Sequence, residues 1–455
     1  MEGDTIAALG TPPGESGIAV VRMSGPGAVD ILGALVRGAP REDSRKLSLA
    51  ILRDGTGEPI DEALVAVMRS PASYTGEDMV EISCHGSMQV VADLLEEIVR
   101  LGGRLASPGE FTKRAFLNGK IDLAQAEAVA DLISSETKLQ RQVAFEQLEG
   151  ALSRRVRELE ERLLGELSLI EVSIDFSEEE APVHSPADTR DAVRAIRGAI
   201  ERLLESEIAG GKLRRGIRVT IVGRRNVGKS SLYNALLGEE RAIVSPVPGT
   251  TRDILRERIH VGGFTCHLED TAGIAETLCE IEAKGIEIGR AAALNADLVL
   301  FVVDGSEDIP RDIAGEISRI NPRRLLCVLN KKDLGLNCPL DEARAVLGTD
   351  AVIAVSALGG GGLEELRQMI YERAVKIDAG ELDRERVAVN ARQAAALREA
   401  DEALERLAVL IDEGAHAEVL SVEARAAAEA LGKITGRSIA DDLLETIFSK
   451  FCIGK

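Results

Sequence analysis

Ile217-Arg-Val-Thr-Ile-Val-Gly223-Arg-Arg-Asn-Val-Gly228-Lys229-Ser230-Ser231, near the middle of this chain, sets a strand, a glycine-bounded loop and a helix in succession. An apolar run of strand type ends at Gly223 and a helical run opens after Gly228, which is the context a phosphate-binding loop requires. Glycines let successive backbone N–H groups converge on a phosphate at a helix N-terminus. Lys229 adds a point charge, and the Ser230 hydroxyl is placed to ligate Mg2+. Working outward, short apolar runs typical of buried strands recur at Phe264 to Asp270, Asp297 to Asp304, Leu325 to Asn330 and Val352 to Ser356, alternating with helical stretches. Residues 213–377 are therefore expected to form a doubly wound α/β domain of the Ras-like P-loop kind.

The ends of these runs carry further signals. Asp270-Thr271-Ala272-Gly273 closes one strand: Asp270 can hold Mg2+ through water, and the Gly273 N–H can face a γ-phosphate. On the preceding loop, Ser245, Pro246, Val247, Pro248, Gly249, Thr250 and Thr251 supply a Thr hydroxyl that completes the Mg2+ shell once a γ-phosphate is present, so Ser230 and Thr251 are the expected Mg2+ ligands. Asn330-Lys331-Lys332-Asp333 closes another strand, and its carboxylate can accept two hydrogen bonds from guanine N1–H and the exocyclic amine. Adenine lacks that donor pair. Ser356-Ala357-Leu358 is suited to backbone recognition of the guanine oxygen. The order of these motifs implies a GTP/GDP site. Its expected members are Asn226, Val227, Gly228, Lys229, Ser230, Ser231, the 245–251 loop, Asp270 to Gly273, Asn330, Lys331, Asp333 and Ser356 to Leu358. Ile274 stands where Ras-type enzymes carry a water-orienting Gln, so hydrolysis has to recruit Asn226 or the acidic segment Glu276 to Glu287.

Composition sets the frame around this domain. The chain has 455 residues, 45% hydrophobic and 29% charged, enough apolar material for about three domains. A net charge of -21 opposes unspecific attraction to nucleic acid, so RNA contact would need local basic patches. Lys212, Arg214, Arg215, Arg218, Arg224 and Arg225 form one candidate patch, and Arg252, Arg256 and Arg258 another; a solvated face is the plainer expectation. The six cysteines show no CxxC pair or zinc spacing, and no segment approaches the roughly 18 uninterrupted apolar residues of a membrane span. A reducing, cytoplasmic setting without a membrane is expected.

Outside the central domain the pattern changes. Residues 1–118 read as mixed α and β, with strand-like Ile18 to Arg22 and Met79 to Ser83 and a helix over Val90 to Leu101. Helical periodicity follows in 119–212, with Leu148, Leu152, Val156, Leu159, Leu163, Leu167 and Ile170 on one face, and then Val193, Ile196, Ile200, Leu203 and Leu204. It returns in 378–455 through Leu397, Ala400, Leu404, Leu407 and Ile411. One helical domain built from both stretches, with the α/β domain inserted, is expected; separate bundles are the alternative.

Phe451-Cys452-Ile-Gly-Lys455, Pro248-Gly-Thr-Thr-Arg-Asp253, Thr11-Pro-Pro-Gly14, Gly17-Ile-Ala-Val-Val-Arg-Met-Ser-Gly25 and Pro108-Gly-Glu-Phe-Thr-Lys-Arg-Ala-Phe-Leu-Asn118 add a closer identification. With these flanks the chain resembles the MnmE (TrmE) family of tRNA modification GTPases essentially end to end. The resemblance implies an N-terminal domain that binds folate and dimerises, a discontinuous helical domain and an inserted GTPase domain. It also implies a heterotetramer with the FAD protein MnmG, which together installs an aminomethyl-type group on C5 of the wobble uridine of certain tRNAs. By matching position, Asn226 looks like a K+ ligand, with Ser245, Val247 and Thr250 completing the loop, and Glu282 looks like a general acid/base acting through water. Arg22, Glu81, Lys120 and Lys455 look like contacts to 5-formyl- or 5,10-methylene-tetrahydrofolate, and Cys452 occupies the position of a cysteine the family needs for modification. Arg225 and Ala275 depart from the family pattern beside the phosphate loop and after Gly273. The competing readings are an RNA-binding or ribosome-assembly switch without tRNA chemistry, and a scaffold in which GTP is structural.

Overall fold

The computed structural model describes residues 3–36, 46–175, 186–238, 256–270, 296–374, 387–439 and 441–454. The chain divides into two compact units: Met1–Ala130 with Gln147–Val193 and Glu402–Lys455, and Asp131–Glu146 with Arg194–Asp401. Among the described residues, no helix is long and apolar enough to cross a membrane.

The first unit holds a six-stranded sheet made of β1 (Ile6–Leu9), β2 (Ser16–Ser24), β3 (Ser48–Arg53), β4 (Pro59–Met68), β5 (Met79–Gly86) and β6 (Arg104–Leu105), in the order β3-β4-β5-β2-β1-β6. All pairs are antiparallel except β1 with β6. The strands alternate. Val21, Met23, Leu52, Val65, Val67, Val80 and Ile82 point to one face and bury against Ile31 and Leu32 of the helix Ala28–Leu35 and Leu94 and Ile98 of the helix Met88–Arg100. The helix Ala151–Asp175 packs along Ala417–Thr435, burying Leu152, Val156, Leu159, Leu163, Leu167 and Ile170, with Arg437 paired to Glu160 at 2.8 Å. Leu148 does not belong to that stripe. It ends the preceding helix, Lys138–Leu148, and the chain turns at Gly150, whose φ of +84° takes the backbone out of helical geometry.

The second unit is built on β7 (Ile217–Gly223), β8 (Arg256–Val261), β9 (Phe264–Asp270), β10 (Leu298–Asp304), β11 (Leu325–Asn330) and β12 (Val352–Ala354), in the order β12-β11-β10-β7-β9-β8. All pairs are parallel except the β8–β9 hairpin. β10 and β11 are buried on both faces, as the unbroken apolar runs predict. Strand order reverses around β7, so the crevice at its carboxyl end is the switch point where α/β sheets take ligands. β12 stops two residues short of the expected Ser356: Val355 C=O accepts Lys332 N–H, and Ser356 N–H turns away to Gly361 C=O. β8 was not anticipated. Its alternation of Arg256, Arg258 and His260 with Ile259 and Val261 is the period-two signal of an edge strand, masked by its charges.

Candidate functional site

The phosphate loop is shaped by backbone demands that its sequence meets. Gly223 has φ +151°, and a Cβ there would meet Val302 C=O at 2.3 Å, so β7 and β10 can lie this close only through glycine. Asn226 (φ +63°) and Gly228 (φ +89°) are left-handed, and the helix Lys229–Leu237 begins directly after them with Lys229, Ser230 and Ser231 in its first turn. Val227 is buried, and the Lys229 ammonium donates to Arg224 C=O at 2.7 Å. This left-handed turn into a helix N-terminus turns N–H groups and the macrodipole towards an anion.

Asn330, 2% exposed, ties this loop to the base side of the site. Its amide donates to Val227 C=O (3.0 Å) and Gly228 C=O (3.4 Å), and its Oδ1 accepts the Ala357 N–H at 3.0 Å. A Cβ on Gly228 would lie 2.2 Å from that amide nitrogen. Ser356 Oγ donates to Asp333 Oδ1 at 2.5 Å and accepts the Gly359 N–H at 2.8 Å, which aims the Asp333 carboxylate. Lys331, at φ +65°, forms an ion pair with Asp304 at the end of β10. Burial pushes the Asp304 carboxyl up, but the Lys331 ammonium and the Ser306 hydroxyl and amide outweigh it and hold it below the ordinary range. Leu358 is exposed. Asp304 was not singled out from sequence, although its place at the end of a buried apolar run was the available signal.

Six members of the GTP set are thus joined: Asn330 with Val227, Gly228 and Ala357, and Ser356 with Asp333. Asp270 ends β9, paired with Ile221 of β7. Ser245 to Thr251, Thr271 to Gly273 and Glu282 lie outside the described residues, as does the Asp270 side chain. The first basic patch is largely engaged by its own unit: Arg214 with Asp131, Arg215 with Asp297, Arg224 with Asp312 and Glu316, and Lys212 with Ala374 C=O. From the second, Arg258 pairs with Glu136.

In the first unit, register places Arg22 of β2 opposite Glu81 of β5, and the two pair at 2.7 Å. Arg22 also donates to Gly454 C=O at 3.4 Å, across 432 residues of chain. The C-terminal segment is seated by Phe451, buried among Leu123, Ala126, Leu444 and Phe448, and by Gly109 N–H donating to Cys452 C=O at 3.3 Å. A Cβ on Gly454 would meet Leu9 C=O at 2.3 Å. Cys452 is exposed, whereas burial pushes the thiols of Cys266 and Cys327 up to about 12. Lys120 donates to Pro71 C=O at 2.9 Å; Lys455 lies outside the described residues. Sequence inspection missed the ion network that supports this region. Arg114 bonds Asp4, Glu77 and Glu110, and Arg104 bonds Asp4 and Glu110. Its members are scattered from residue 4 to 114, so spacing carried no signal.

Comparison with known proteins bears on these sites. The chain matches the family model described as GTP-binding protein TrmE N-terminus over residues 5–120 and the MnmE helical domain over residues 123–452. It is 44% identical to a tRNA modification GTPase MnmE of Moorella thermoacetica, covering 100% of both chains. It is 42% identical to one of Aquifex aeolicus, covering 99% of this chain and 100% of the relative. A third, of Heliobacterium modesticaldum, is 43% identical with 100% of both covered.

Proposed function

The chain belongs to the MnmE family of tRNA modification GTPases, and from that premise we propose that it hydrolyses GTP under K+ activation to drive C5 modification of the wobble uridine of certain tRNAs. It binds GTP and acts as a GTPase in tRNA modification. The observation that carries the nucleotide chemistry is the Asn330 staple, which holds the phosphate loop and the Ser356 to Asp333 guanine reader in one constellation. Ser230, in the first helical turn beside Lys229, fits a Mg2+ ligand, with Thr251 as the second. Asn226, held left-handed at the loop tip, fits a K+ ligand with Ser245, Val247 and Thr250. A bound K+ would supply charge against the phosphates where Ile274 cannot orient water. Glu282 is the proposed general acid/base.

The folate reading rests on the Arg22–Glu81 pair beside Gly454. A guanidinium and a carboxylate suit the acidic tail and the polar pterin of a reduced folate, and Lys120 and Lys455 add cations. Register puts that pair on the same sheet face as Leu49, Ile51 and Leu64, which are 65%, 44% and 42% exposed. An exposed apolar sheet face beside a charged site supports homodimerisation through this sheet. Cys452, seated by Phe451 near the same site, is the proposed thiol of the modification chemistry. The domain limits 1–118, 119–212, 213–377 and 378–455, assembly with MnmG and action in the cytoplasm complete the proposal.

The test is mass analysis of wobble uridines from cells lacking the protein, with hydrolysis assayed in K+ and in Na+. Loss of the modification and weak turnover in Na+ are expected. Unchanged uridines would remove the tRNA role, and equal turnover in both salts, unaltered by Asn226→Ala, would remove the K+ role.

A further inference from the structure

The phosphate loop is pinned at three places, and at one of them the pinning residues, Asp312 and Glu316, lie outside every nucleotide motif. At its start Gly223 packs against Val302 C=O, and at its end Asn330 holds the Val227 and Gly228 carbonyls. Between them, Arg224 Nη2 donates to Asp312 Oδ2 at 2.6 Å and to Glu316 Oε1 at 2.7 Å, with Nε 3.3 Å from the same Glu316 oxygen. The two carboxylates are not on a loose tether, because the helix Ile313–Ile317 that carries Glu316 and follows Asp312 is rooted by the buried Ile313 and Ile317. Arg224 C=O is in turn the acceptor of the Lys229 ammonium, at 2.7 Å.

A lysine is a point charge on a flexible stem, so what fixes its ammonium is what it is bonded to. A guanidinium gripped by two carboxylates is a planar fork with little freedom. We propose that Arg224 is a positioning residue for GTP hydrolysis: gripped by Asp312 and Glu316, it fixes the carbonyl that tethers Lys229 and so sets where that ammonium stands against the phosphates. A rival role for an arginine here is simply to add positive field beside the nucleotide. The two roles predict opposite outcomes when the carboxylates are neutralised and the arginine is kept.

The experiment uses the full chain in K+, with kcat, KM and the affinities for GTP and GDP measured for Arg224→Ala, Arg224→Lys, Glu316→Gln and the Asp312→Asn/Glu316→Gln pair. Positioning predicts that kcat falls about three- to tenfold in Arg224→Ala and in the double variant, with GDP affinity within about twofold, because the γ-phosphate is what Lys229 must meet in the transition state. Arg224→Lys, able to hold one carboxylate, should be intermediate. Raising the salt should slow the wild type more than Arg224→Ala, because the grip is partly exposed and is screened. Tighter GTP binding by the double variant, or unchanged kcat, overturns the proposal. If the double variant does not fold, Glu316→Gln, a change at a half-exposed site, should lower kcat in the same direction by a smaller factor, and an unchanged kcat there overturns the proposal equally.

Discussion

The two sheets of this protein solve the problem of holding a ligand in opposite ways. In the parallel sheet, β10 and β11 are buried on both faces, and the candidate nucleotide site lies in the loops at the carboxyl ends of successive strands. Each loop is a short contiguous string, and Asn330 stitches three of them together. In the largely antiparallel sheet two helices cover one face, while the opposite face is covered by Phe111 at Ile6, Ala8 and Met79 and left exposed at Leu49, Ile51 and Leu64. The candidate site lies on that opposite face, in the middle of strands rather than at their ends, where register sets Arg22 against Glu81 and the distant C-terminal segment arrives to meet them. A parallel sheet advertises its site in sequence; an antiparallel sheet with an open face does not.

If that contrast is right, damage to one site should leave the other intact. The largest effect is expected for Asp333→Asn. Replacing an acceptor pair by an amide that offers a donor against a donor costs about 2–3 kcal/mol, roughly a hundredfold in GTP affinity. Titration should show xanthine nucleotides gaining over guanine ones, with 5-formyltetrahydrofolate binding unaltered. GTP binding that survives would break the guanine assignment.

Next in size is Arg22→Ala, which removes one partner of a charged pair at a half-buried site. Calorimetry should show 5-formyltetrahydrofolate binding weakened by about tenfold while GTP turnover stays within about twofold. Equal losses of both activities would mean that the two sites are not separable.

Acid should sharpen the comparison at the level of stability. Burial pushes the Asp4 and Glu110 carboxyls up, but hydrogen bonds from Arg104 and Arg114 outweigh it and hold both below the ordinary range. Carboxyls depressed in the folded state contribute stability that is present above their unfolded values, near pH 4 to 4.5, and lost as pH falls below that. Hydrogen exchange at pH 5 and at pH 3.5 should show protection lost first in β1, β6 and the helix Glu110–Leu117. Arg104→Met should flatten that difference. The smallest effect is expected for Arg162→Ala, which breaks the pair with Glu158 in which both side chains are exposed; its melting temperature should move by no more than about 1 °C.

Legibility followed the same divide. The strands β10 and β11 were readable as unbroken apolar runs because strands buried on both faces cannot alternate, whereas β7 and β9 were readable although Arg218, Thr220, His267 and Glu269 interrupt them. The helical stripe from Leu152 to Ile170 was readable for the complementary reason, although Leu148 showed that a correct spacing can continue across a break. The arginines of β8 mask an edge strand, and in the run around the phosphate loop, for which a solvated face is the plainer reading than a nucleic-acid patch, Arg214, Arg215 and Arg224 pair with carboxylates.

By itself, the amino-acid sequence determined the GTP chemistry, because a phosphate loop, a guanine reader and their spacing depend on backbone conformations that only glycines and a few side chains permit. The flanking motifs also pointed to the family. Tertiary structure alone decided that Asn330 ties Val227 and Gly228 to Ala357, that Arg224 faces Asp312 and Glu316, and that Gly454 comes to Arg22. Those contacts join residues tens to hundreds of positions apart. Their distances are set by strand register and helix packing, which no local pattern of residues records.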